Sequence, residues 1–486
     1  MERDSREPRA SGGARDAAAA KAYLQDLYDY FRMDTNMDPI LLFEQVCCVL
    51  LGDVEEEEYQ ALEGYDQRRL GEWYQTRVSQ YCADILDWDV PVDAFVRRPK
   101  LLLRLLAAAR GVMASVGEGK AALGPLLAEF LETISQSRQG NIIYTPLETA
   151  REIVEFLHQE RQTAMDASVL DPACGNGAFP IALMERAREE NSGGVLRILG
   201  LEGDEHLRTS VALLAHFYAC PGIDLKLEAG GSAPDMPENA YDLILANPPF
   251  RPQTHRDREW FGDTRGLPVE TNDIHRAFIQ RILMSLKPGG EGAVIVPESF
   301  LSSAGVDAIR VRRWIVEEFR QVCVVKLPAY TFYPRGVVSA DILFFRKPDF
   351  LEGGAPEERY VFFFKVDVDG RSGDTRRQPV PRNDFDELRS AWSGREALWR
   401  EWRGAQTARN AYGVGVPARW DRARCWFGGL EDVRRGDYSL LPEQYQPTQL
   451  LSEPVRDPAE ILEELQGLGV EILSLTRRLT EAEYGR

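Results

Sequence analysis

Four consecutive residues, Asn247-Pro248-Pro249-Phe250, have the groups needed to hold a primary amine on a planar ring. The amide oxygen of Asn247 and the carbonyl oxygen of Pro248 can accept both hydrogens of an exocyclic amine, which directs the nitrogen lone pair toward an electrophile. The two prolines restrict the backbone, and Phe250 can lie against a planar base. Taken alone, the tetrapeptide is equally compatible with a rigid turn.

A second segment that indicates a ligand is the glycine loop Asp171-Pro172-Ala173-Cys174-Gly175-Asn176-Gly177. It follows the apolar run Ser168–Leu170 and precedes a helical pattern. Its glycines allow the backbone to approach a ligand closely, and the helix N-terminus favours a carboxylate or phosphate. The next apolar run is followed by Glu202, where a ribose diol would find a hydrogen-bond acceptor, while Asp204 is equally well explained as a surface acid. The two segments together predict a ribose-containing cofactor beside an amine-binding site.

The elements that must position these segments alternate between strands and helices. From about residue 140, β-rich runs are separated by amphipathic helical patterns. The runs are Ser168–Leu170, Arg197–Leu201, Leu225–Leu227, Asp242–Leu245, Ala293–Val296, Val322–Val325 and Ile342–Phe345. This alternation predicts an α/β sheet covered by helices on both faces. Asn247 then follows a strand, at the edge where ligands bind in open α/β sheets.

The regions on either side of this sheet differ in composition. Residues 1–20 are predicted as a flexible tail, and apolar residues at three- and four-residue spacing predict a helical N-terminal domain over 21–139. A catalytic domain is predicted over 140–350 and an irregular C-terminal region over 351–457. Residues 458–486 contain a heptad seam, which predicts a helix docked on the protein's own body or on a partner. The seam consists of Ile461, Leu465, Leu468, Ile472, Leu475 and Leu479.

The composition is that of an ordinary globular protein. Hydrophobic residues make up 44% and charged residues 28% of the 486 residues, which excludes a disordered chain, a collagen-like fibre and a disulfide-stabilised miniprotein. Seven cysteines without CxxC pairs favour reduced thiols in a cytoplasmic protein. The N-terminus lacks the apolar segment of a signal peptide, and no apolar run is long enough to span a membrane. We therefore expect a soluble protein without a membrane partner.

The net charge of −19 limits how this chain can bind nucleic acid. A strongly acidic chain has no long-range attraction for DNA phosphates, so any such activity needs a local basic groove or a basic partner. The segment 251–265 carries several basic residues beside the Asn-Pro-Pro-Phe motif, but its acidic residues make a self-paired surface loop an equal alternative. The five histidines have no metal-ligand spacing, so no metal site is predicted.

Together these segments resemble S-adenosylmethionine-dependent DNA adenine-N6 methyltransferases. The glycine loop resembles the cofactor motif of that family, and Asn247–Phe250 resembles its catalytic Asn/Asp-Pro-Pro-Tyr/Phe motif. Tyr144-Thr145-Pro146 resembles the motif that helps to cover the methionine end of the cofactor, and the order of the three motifs is that of the gamma subgroup. The resemblance implies S-adenosylmethionine as cofactor, with contacts from these motifs, Glu202 and Asn247. It also implies a Rossmann-like class I methyltransferase sheet, with a helical N-terminal domain and a helical C-terminal tail.

The resemblance extends to the modification subunit of type I restriction–modification systems. The matching segments are Ala277-Phe278-Ile279, Ser285-Leu286-Lys287-Pro288-Gly289-Gly290, Val296-Pro297, Leu327-Pro328, Phe332-Tyr333, Ile342-Leu343 and, more loosely, Asp437-Tyr438-Ser439-Leu440 with Tyr445. It implies double-stranded DNA as substrate, a specificity subunit as partner and a restriction subunit as a further candidate partner. It also favours docking of the 458–486 helix on a partner, because the specificity subunit of such systems supplies long helices.

A mechanism follows from this resemblance. The target adenine leaves the duplex so that its N6 can reach the methyl group. Asn247 and Pro248 hold the amine, Phe250 stacks on one face of the base, and Phe332 or Tyr333 is the candidate for the other face. Because a sulfonium is already a strong electrophile, we expect transfer aided by positioning and without a metal.

The sequence departs from the family pattern after the third predicted strand. The family has there an acid that binds the adenine amine of the cofactor, whereas this chain has Gly231. Ser232, Asp235 or backbone groups remain as candidates for that contact. Phe250 in place of tyrosine is a minor departure, because stacking needs the ring and not the hydroxyl.

Other functions use parts of the same pattern. A stand-alone gamma-type adenine methyltransferase would need no specificity subunit. Methyltransferases that act on ribosomal RNA guanine or on protein glutamine also have Asn-Pro-Pro-Phe/Tyr, but Asp-Pro-Ala-Cys-Gly and Tyr-Thr-Pro favour DNA. A cofactor-binding assembly protein without catalysis would not need the intact motif.

Overall fold

The computed structural model describes residues 12–52, 54, 56–62, 64–79, 92–116, 122–138, 142–161, 166–190, 194–230, 236–250, 266–334, 338–349, 359–412 and 424–446. The sequence features at 231–235, 251–265 and 458–486 lie outside the described residues. Among the described residues, no helix is long and apolar enough to cross a membrane. No group of three or more His, Cys, Asp or Glu side chains in the same part of the chain is arranged to hold a metal ion.

The N-terminal part is helical, as the spacing of its apolar residues predicts. Its elements are α1 (Gly12–Asp34), α2 (Pro39–Leu51), α3 (Glu56–Leu62), α4 (Gln67–Tyr74), a π-helical turn (Gln75–Ser79), α5 (Asp93–Val96), α6 (Pro99–Val116) and α7 (Leu123–Ser137). Helix α1 begins inside the predicted flexible tail, because an alanine-rich stretch continues the helix and Ala20 is fully buried. Asp38 caps α2 by accepting a hydrogen bond from the Ile40 N–H.

A nine-stranded sheet follows. Its strands are β1 (Ala167–Asp171), β2 (Leu196–Glu202), β3 (Ile223–Ala229), β4 (Tyr241–Ala246), β5 (Leu286–Pro297), β6 (Arg320–Lys326), β7 (Ala340–Arg346), β8 (Tyr360–Lys365) and β11 (Cys425–Gly429). They lie in the order β11-β8-β6-β7-β5-β4-β1-β2-β3. β7 is antiparallel to β5 and β6, and β11 is antiparallel to β8, whereas the other neighbours are parallel. The predicted α/β sheet is therefore confirmed.

Helices connect these strands on both sides of the sheet. They are α8 (Leu147–Arg161), α9 (Ala178–Glu190), α10 (Glu205–Tyr218), α11 (Ile274–Ser285), α12 (Glu298–Ser302) and α13 (Val306–Glu318). β5 is buried from Gly290 to Val296 and β7 from Ala340 to Phe345, as the continuous apolar runs of the sequence indicate for a covered sheet. Helix α10 also packs on α2 and α7, which joins the N-terminal helices to the sheet domain.

The described part of the region predicted as irregular contains regular elements. β8 and β11 extend the main sheet, and this region adds the hairpin β9 (Asp369–Arg371) and β10 (Pro379–Asn383) with α14 (Phe385–Ser393), α15 (Arg395–Tyr412), α16 (Leu430–Arg435) and α17 (Pro442–Tyr445). The physical reason is burial of Trp392, Trp399, Trp402, Trp426 and Phe427 in the same core as the sheet. Burying one large apolar side chain contributes about 1.5–3 kcal/mol, which outweighs a weak local pattern.

Candidate active site

The two predicted ligand segments lie side by side at a topological switch point. β1 and β4 are neighbours in the sheet, with Leu170 opposite Ile244, although β2 and β3 come between them in the chain. β2 lies beyond β1, and β5 lies beyond β4 on the opposite side. The connections therefore leave in opposite directions, which opens a crevice at the carboxyl ends of β1 and β4. Asp171 ends β1, and Asn247 follows β4 at this crevice.

Two glycines shape the loop after β1. Gly175 and Gly177 have φ values of 55° and 78°, in the left-handed region that favours glycine. A Cβ on Gly177 would lie 2.6 Å from Cγ2 of Val211 on α10, and a Cβ on Gly175 would lie 3.3 Å from the ring of Tyr144. The loop therefore packs directly against α10 on one side and against the Tyr-Thr-Pro segment on the other.

The carboxyl group of Asp171 is buried at the crevice with one oxygen unused. Its Oδ1 accepts a hydrogen bond from the Ala173 N–H at 3.2 Å, whereas Oδ2 has no hydrogen-bond partner among the described residues. Burial raises the pKa of Asp171 to about 8, and the neighbouring Glu202 contributes to the rise. A buried carboxyl group with an unused oxygen fits a cationic group of a ligand, because a nearby positive charge favours its ionised form.

Glu202, at the end of β2, is held by two backbone groups. Its Oε2 accepts a hydrogen bond from the Gly175 N–H at 2.9 Å, and its Oε1 accepts one from the Asp204 N–H at 2.8 Å. Burial raises the pKa of Glu202. A carboxylate has about four acceptor positions, so both oxygens retain capacity for the hydroxyl groups of a ribose. The position and remaining acceptor capacity of this side chain fit the predicted ribose contact.

The side chain of Asn247 is oriented by the backbone of the segment before α8. Its Nδ2 donates a hydrogen bond to the carbonyl oxygen of Ile143 at 3.4 Å, which leaves Oδ1 as the end that can accept from an amine. The next two residues, Tyr144 and Thr145, are buried. Because Tyr144 also lies against Gly175, this short segment contacts both Asn247 and the glycine loop.

Phe250 lies among other aromatic rings. Its ring centroid is 6.5 Å from that of Phe332 at an interplanar angle of 83°, and 6.4 Å from that of His275 at 74°. Phe332 is buried, whereas Phe250 and Tyr333 are half-buried. Both contacts of Phe250 are edge-to-face, and part of its ring remains accessible to a planar ligand.

His275 contributes to this aromatic cluster, which no sequence pattern indicates. Its Nε2 is buried and has no hydrogen-bond partner among the described residues. Burial lowers the pKa of His275 to about 4, so its imidazole is neutral at neutral pH. The ring of Phe300 lies 5.8 Å from it. A single histidine in a helical pattern has no spacing that would reveal this position.

A polar junction with the N-terminal helices borders Glu202, and no sequence pattern indicates it. Asp204 caps α10 by accepting hydrogen bonds from the N–H groups of His206 and Leu207. It also forms a salt bridge with Arg138, which follows α7, at 2.7 Å. His206 in turn contacts Glu44 of α2 at 3.0 Å. Asp204 therefore lies where the N-terminal helices meet the helices of the sheet.

A doubly wound sheet with a glycine loop and an Asn-Pro-Pro-Phe motif at its switch point defines a class I methyltransferase. The profile of the N-6 DNA Methylase family matches residues 122–453, and the chain belongs to this family. The family resemblance predicted from the motifs is thereby confirmed, as is the predicted enzyme class, a DNA methyltransferase.

Known proteins and a solved structure agree with this assignment. The type I restriction enzyme EcoEI methylase subunit of Escherichia coli is 22% identical over 400 residues, which cover 80% of this chain and 74% of that protein. The type I restriction enzyme MjaIX methylase subunit of Methanocaldococcus jannaschii is 24% identical over 242 residues, 47% of this chain and 41% of that protein. The structure of the type I restriction-modification system methyltransferase subunit from Streptococcus thermophilus has a TM-score of 0.59 at 14% identity, over 88% of this chain and 99% of that one. This similarity in structure confirms the predicted fold class.

Proposed function

We propose that this chain transfers a methyl group from S-adenosylmethionine to the N6 atom of adenine in double-stranded DNA, as the modification subunit of a type I restriction–modification system. The observation that carries the proposal is the hydrogen bond from Asn247 to Ile143. It engages the amide nitrogen of Asn247 and leaves the amide oxygen at the switch point to accept a hydrogen bond. The glycine loop lies across the same crevice. An amine acceptor beside a nucleoside-binding loop suits methyl transfer to an exocyclic amine.

The cofactor half of the proposed site consists of the glycine loop, Glu202 and the Tyr-Thr-Pro segment. S-adenosylmethionine, when bound, supplies a methyl group activated by a sulfonium. The unused oxygen of Asp171 is suited to accept a hydrogen bond from the cofactor's ammonium group, and the carboxylate of Glu202 is suited to its ribose hydroxyls. Tyr144-Thr145-Pro146 would cover the methionine end, beside Gly175.

The target half consists of Asn247, Pro248 and the aromatic residues. The amide oxygen of Asn247 and the carbonyl of Pro248 hold the two hydrogens of the adenine N6, so that the nitrogen lone pair is directed toward the methyl group. Phe250 stacks on one face of the flipped base. Phe332 or Tyr333 remains the candidate for the other face; of these, Tyr333 is the more accessible.

The partners are proposed from charge and from the relatives. A chain with a net charge of −19 lacks the long-range attraction for DNA that a stand-alone enzyme would need. The similar EcoEI and MjaIX proteins are methylase subunits of type I restriction enzymes. We therefore infer that a specificity subunit supplies sequence recognition and that a restriction subunit is a further partner. Residues 458–486 are the proposed docking helix. The other proposed domains are the helical N-terminal domain, which α1 extends back to Gly12, the catalytic domain over 140–350 and the C-terminal region over 351–457.

The test is Asn247→Ala in the full-length chain, expressed with its candidate specificity subunit. We expect methylated adenine to disappear from the host genome while the affinity for the cofactor, measured by calorimetry, stays within about twofold, because Asn247 acts mainly on the target amine. Asn272→Ala is the matched control, since Asn272 is exposed. Genomic adenine methylation that persists in Asn247→Ala would reject the proposed mechanism.

A further inference from the structure

Arg138 joins the N-terminal helices to the cofactor side of the sheet domain. Its Nε donates a hydrogen bond to Oδ2 of Asp38 at 3.0 Å, and its Nη2 donates to Oδ2 of Asp204 at 2.7 Å. The side chain of Arg138 is 15% exposed, so its charge is largely shielded from water. Asp38 caps α2, whereas Asp204 caps α10. One guanidinium group therefore holds the first turns of two helices from different domains.

Two short routes lead from Arg138 to the carboxylate of Glu202. The first passes through Asp204, whose N–H donates to Oε1 of Glu202 at 2.8 Å. The second passes through Tyr144, whose hydroxyl accepts a hydrogen bond from Nη1 of Arg138 at 3.3 Å. The ring of Tyr144 lies against Gly175, and the Gly175 N–H donates to Oε2 of Glu202 at 2.9 Å. Arg138 thus contacts directly the residue that holds Oε1 of Glu202, which is Asp204. It reaches the residue that holds Oε2, Gly175, through the ring of Tyr144.

A second polar contact reinforces this junction. The Nδ1 of His206, in the first turn of α10, lies 3.0 Å from Oε1 of Glu44, which is fully buried on α2. The first turn of α10 is therefore linked to α2 directly through Glu44 and indirectly through Arg138 and Asp38. A displacement of α2 would move Asp204 and, with it, the N–H group that holds Glu202.

We propose that Arg138 is a positioning residue for the cofactor site, and that it couples docking of the N-terminal helices to the affinity for the ribose of the cofactor. The proposal rests on the cofactor assignment of the proposed function and deepens it. Arg138 does not reach the cofactor in this scheme; it acts through Glu202. Because coupling between two sites is reciprocal, a ligand that engages Glu202 also stabilises the Asp38–Arg138–Asp204 junction.

The test measures binding of S-adenosylhomocysteine and of its 2′,3′-dideoxy analogue to the full-length chain by calorimetry. We expect Arg138→Met to weaken binding of S-adenosylhomocysteine by roughly tenfold, within the usual range of coupling between sites, and to leave binding of the dideoxy analogue nearly unchanged. Arg138→Lys should recover part of the loss, since one ammonium can replace part of the guanidinium contact. The control is Arg151→Met, which removes another partly buried arginine, 29% exposed, that pairs with Glu148 and Glu185.

Further variants separate positioning from loss of folding. Asp38→Asn keeps a capping side chain but removes the charge that pairs with Arg138, so it should give a smaller loss in the same direction while the chain still unfolds in a cooperative thermal transition. The double variant Arg138→Met with Glu202→Gln should bind no more weakly than Glu202→Gln alone, because both changes act on one contact.

Several results would overturn the proposal. Equal losses for S-adenosylhomocysteine and the dideoxy analogue, additive losses in the double variant, or wild-type affinity in both Arg138→Met and Asp38→Asn would each reject the role of Arg138. Failure of the wild-type chain to bind S-adenosylhomocysteine would instead reject the cofactor assignment itself. The two failures are therefore distinguishable.

Discussion

The cofactor half and the target half of the proposed site are built differently. On the cofactor side, Glu202 accepts two backbone hydrogen bonds, and the glycine loop packs against both Val211 and Tyr144. On the target side, and among the described residues, Asn247 donates one hydrogen bond of 3.4 Å, and Phe250 makes edge-to-face contacts with Phe332 and His275. Within the described residues, the proposed cofactor side is therefore held by more backbone and packing contacts than the proposed target side.

The largest effect is expected from filling the space at Gly177. In Gly177→Ala the new Cβ would lie 2.6 Å from Val211. The backbone of the alanine would also have to adopt a φ of 78°, a conformation that costs roughly 1–2 kcal/mol for residues other than glycine. We expect a loss of cofactor affinity of more than about tenfold and a lower melting temperature. Calorimetry and thermal unfolding measure both.

Gly404→Ala is the control for this substitution, since nothing lies within 4 Å of the position of its Cβ. It should leave cofactor binding unchanged. Normal cofactor affinity in Gly177→Ala would contradict the close packing of the glycine loop on α10.

An intermediate effect is expected at Phe250, on the target side. Phe250→Ala removes a stacking surface that is worth about 1–3 kcal/mol per base in nucleic-acid complexes, so methyl transfer to a target duplex should become slower while cofactor affinity stays unchanged. Phe250→Tyr, which keeps the ring, should retain the activity. Rates measured with the specificity subunit present test this. An equal loss of cofactor affinity would show that the two halves are not separate.

A further effect, limited to pH values below about 8, is a dependence of cofactor binding on pH. The pKa of Asp171 is raised to about 8 by burial, so its carboxyl group is mostly protonated at neutral pH in the free protein. An ammonium group favours the ionised form, and affinity should therefore rise with pH by up to about tenfold per unit below pH 8 and then level off. Calorimetry in buffers of different ionisation enthalpy should detect the released proton.

Asp171→Asn should remove this dependence, and a slope that persists in the variant would assign the titration to another group. The same titration has the opposite effect on the stability of the free protein. Because the folded-state pKa of Asp171 is raised above its usual 3.8, the free protein loses stability as the pH rises from about that value through pH 8.

Much of the sheet and both ligand segments could be predicted from the sequence, because they depend on local patterns. The run before Asp171 is a buried strand of the predicted type, and Asn247 follows another. The same local patterns could not show Arg138 between Asp38 and Asp204, because those residues are 100 and 66 positions away from it in the chain. For the same reason, the sequence alone left Asp204 equally well explained as a surface acid, whereas the structure shows that it caps α10 and pairs with Arg138.

The C-terminal region was harder to predict for a related reason. Trp392, Trp399 and Trp402 follow one another at spacings of seven and three, which fits helices, but this spacing does not show that they are buried together with Phe427 of β11. Tyr360 of β8 stacks on Trp399 at 4.9 Å. Contacts between residues so far apart in sequence determine where β8 and β11 join the sheet, and no local periodicity carries that information.

The bond between Asn247 and Ile143 has a consequence for how the chain can vary. The acceptor is a backbone carbonyl, a group that every residue possesses. The side chain at position 143 can therefore change without loss of the contact that orients the proposed catalytic amide, provided that the path of the backbone is kept. Relatives with different residues at this position would retain the same reaction geometry, and their divergence there would be silent for catalysis.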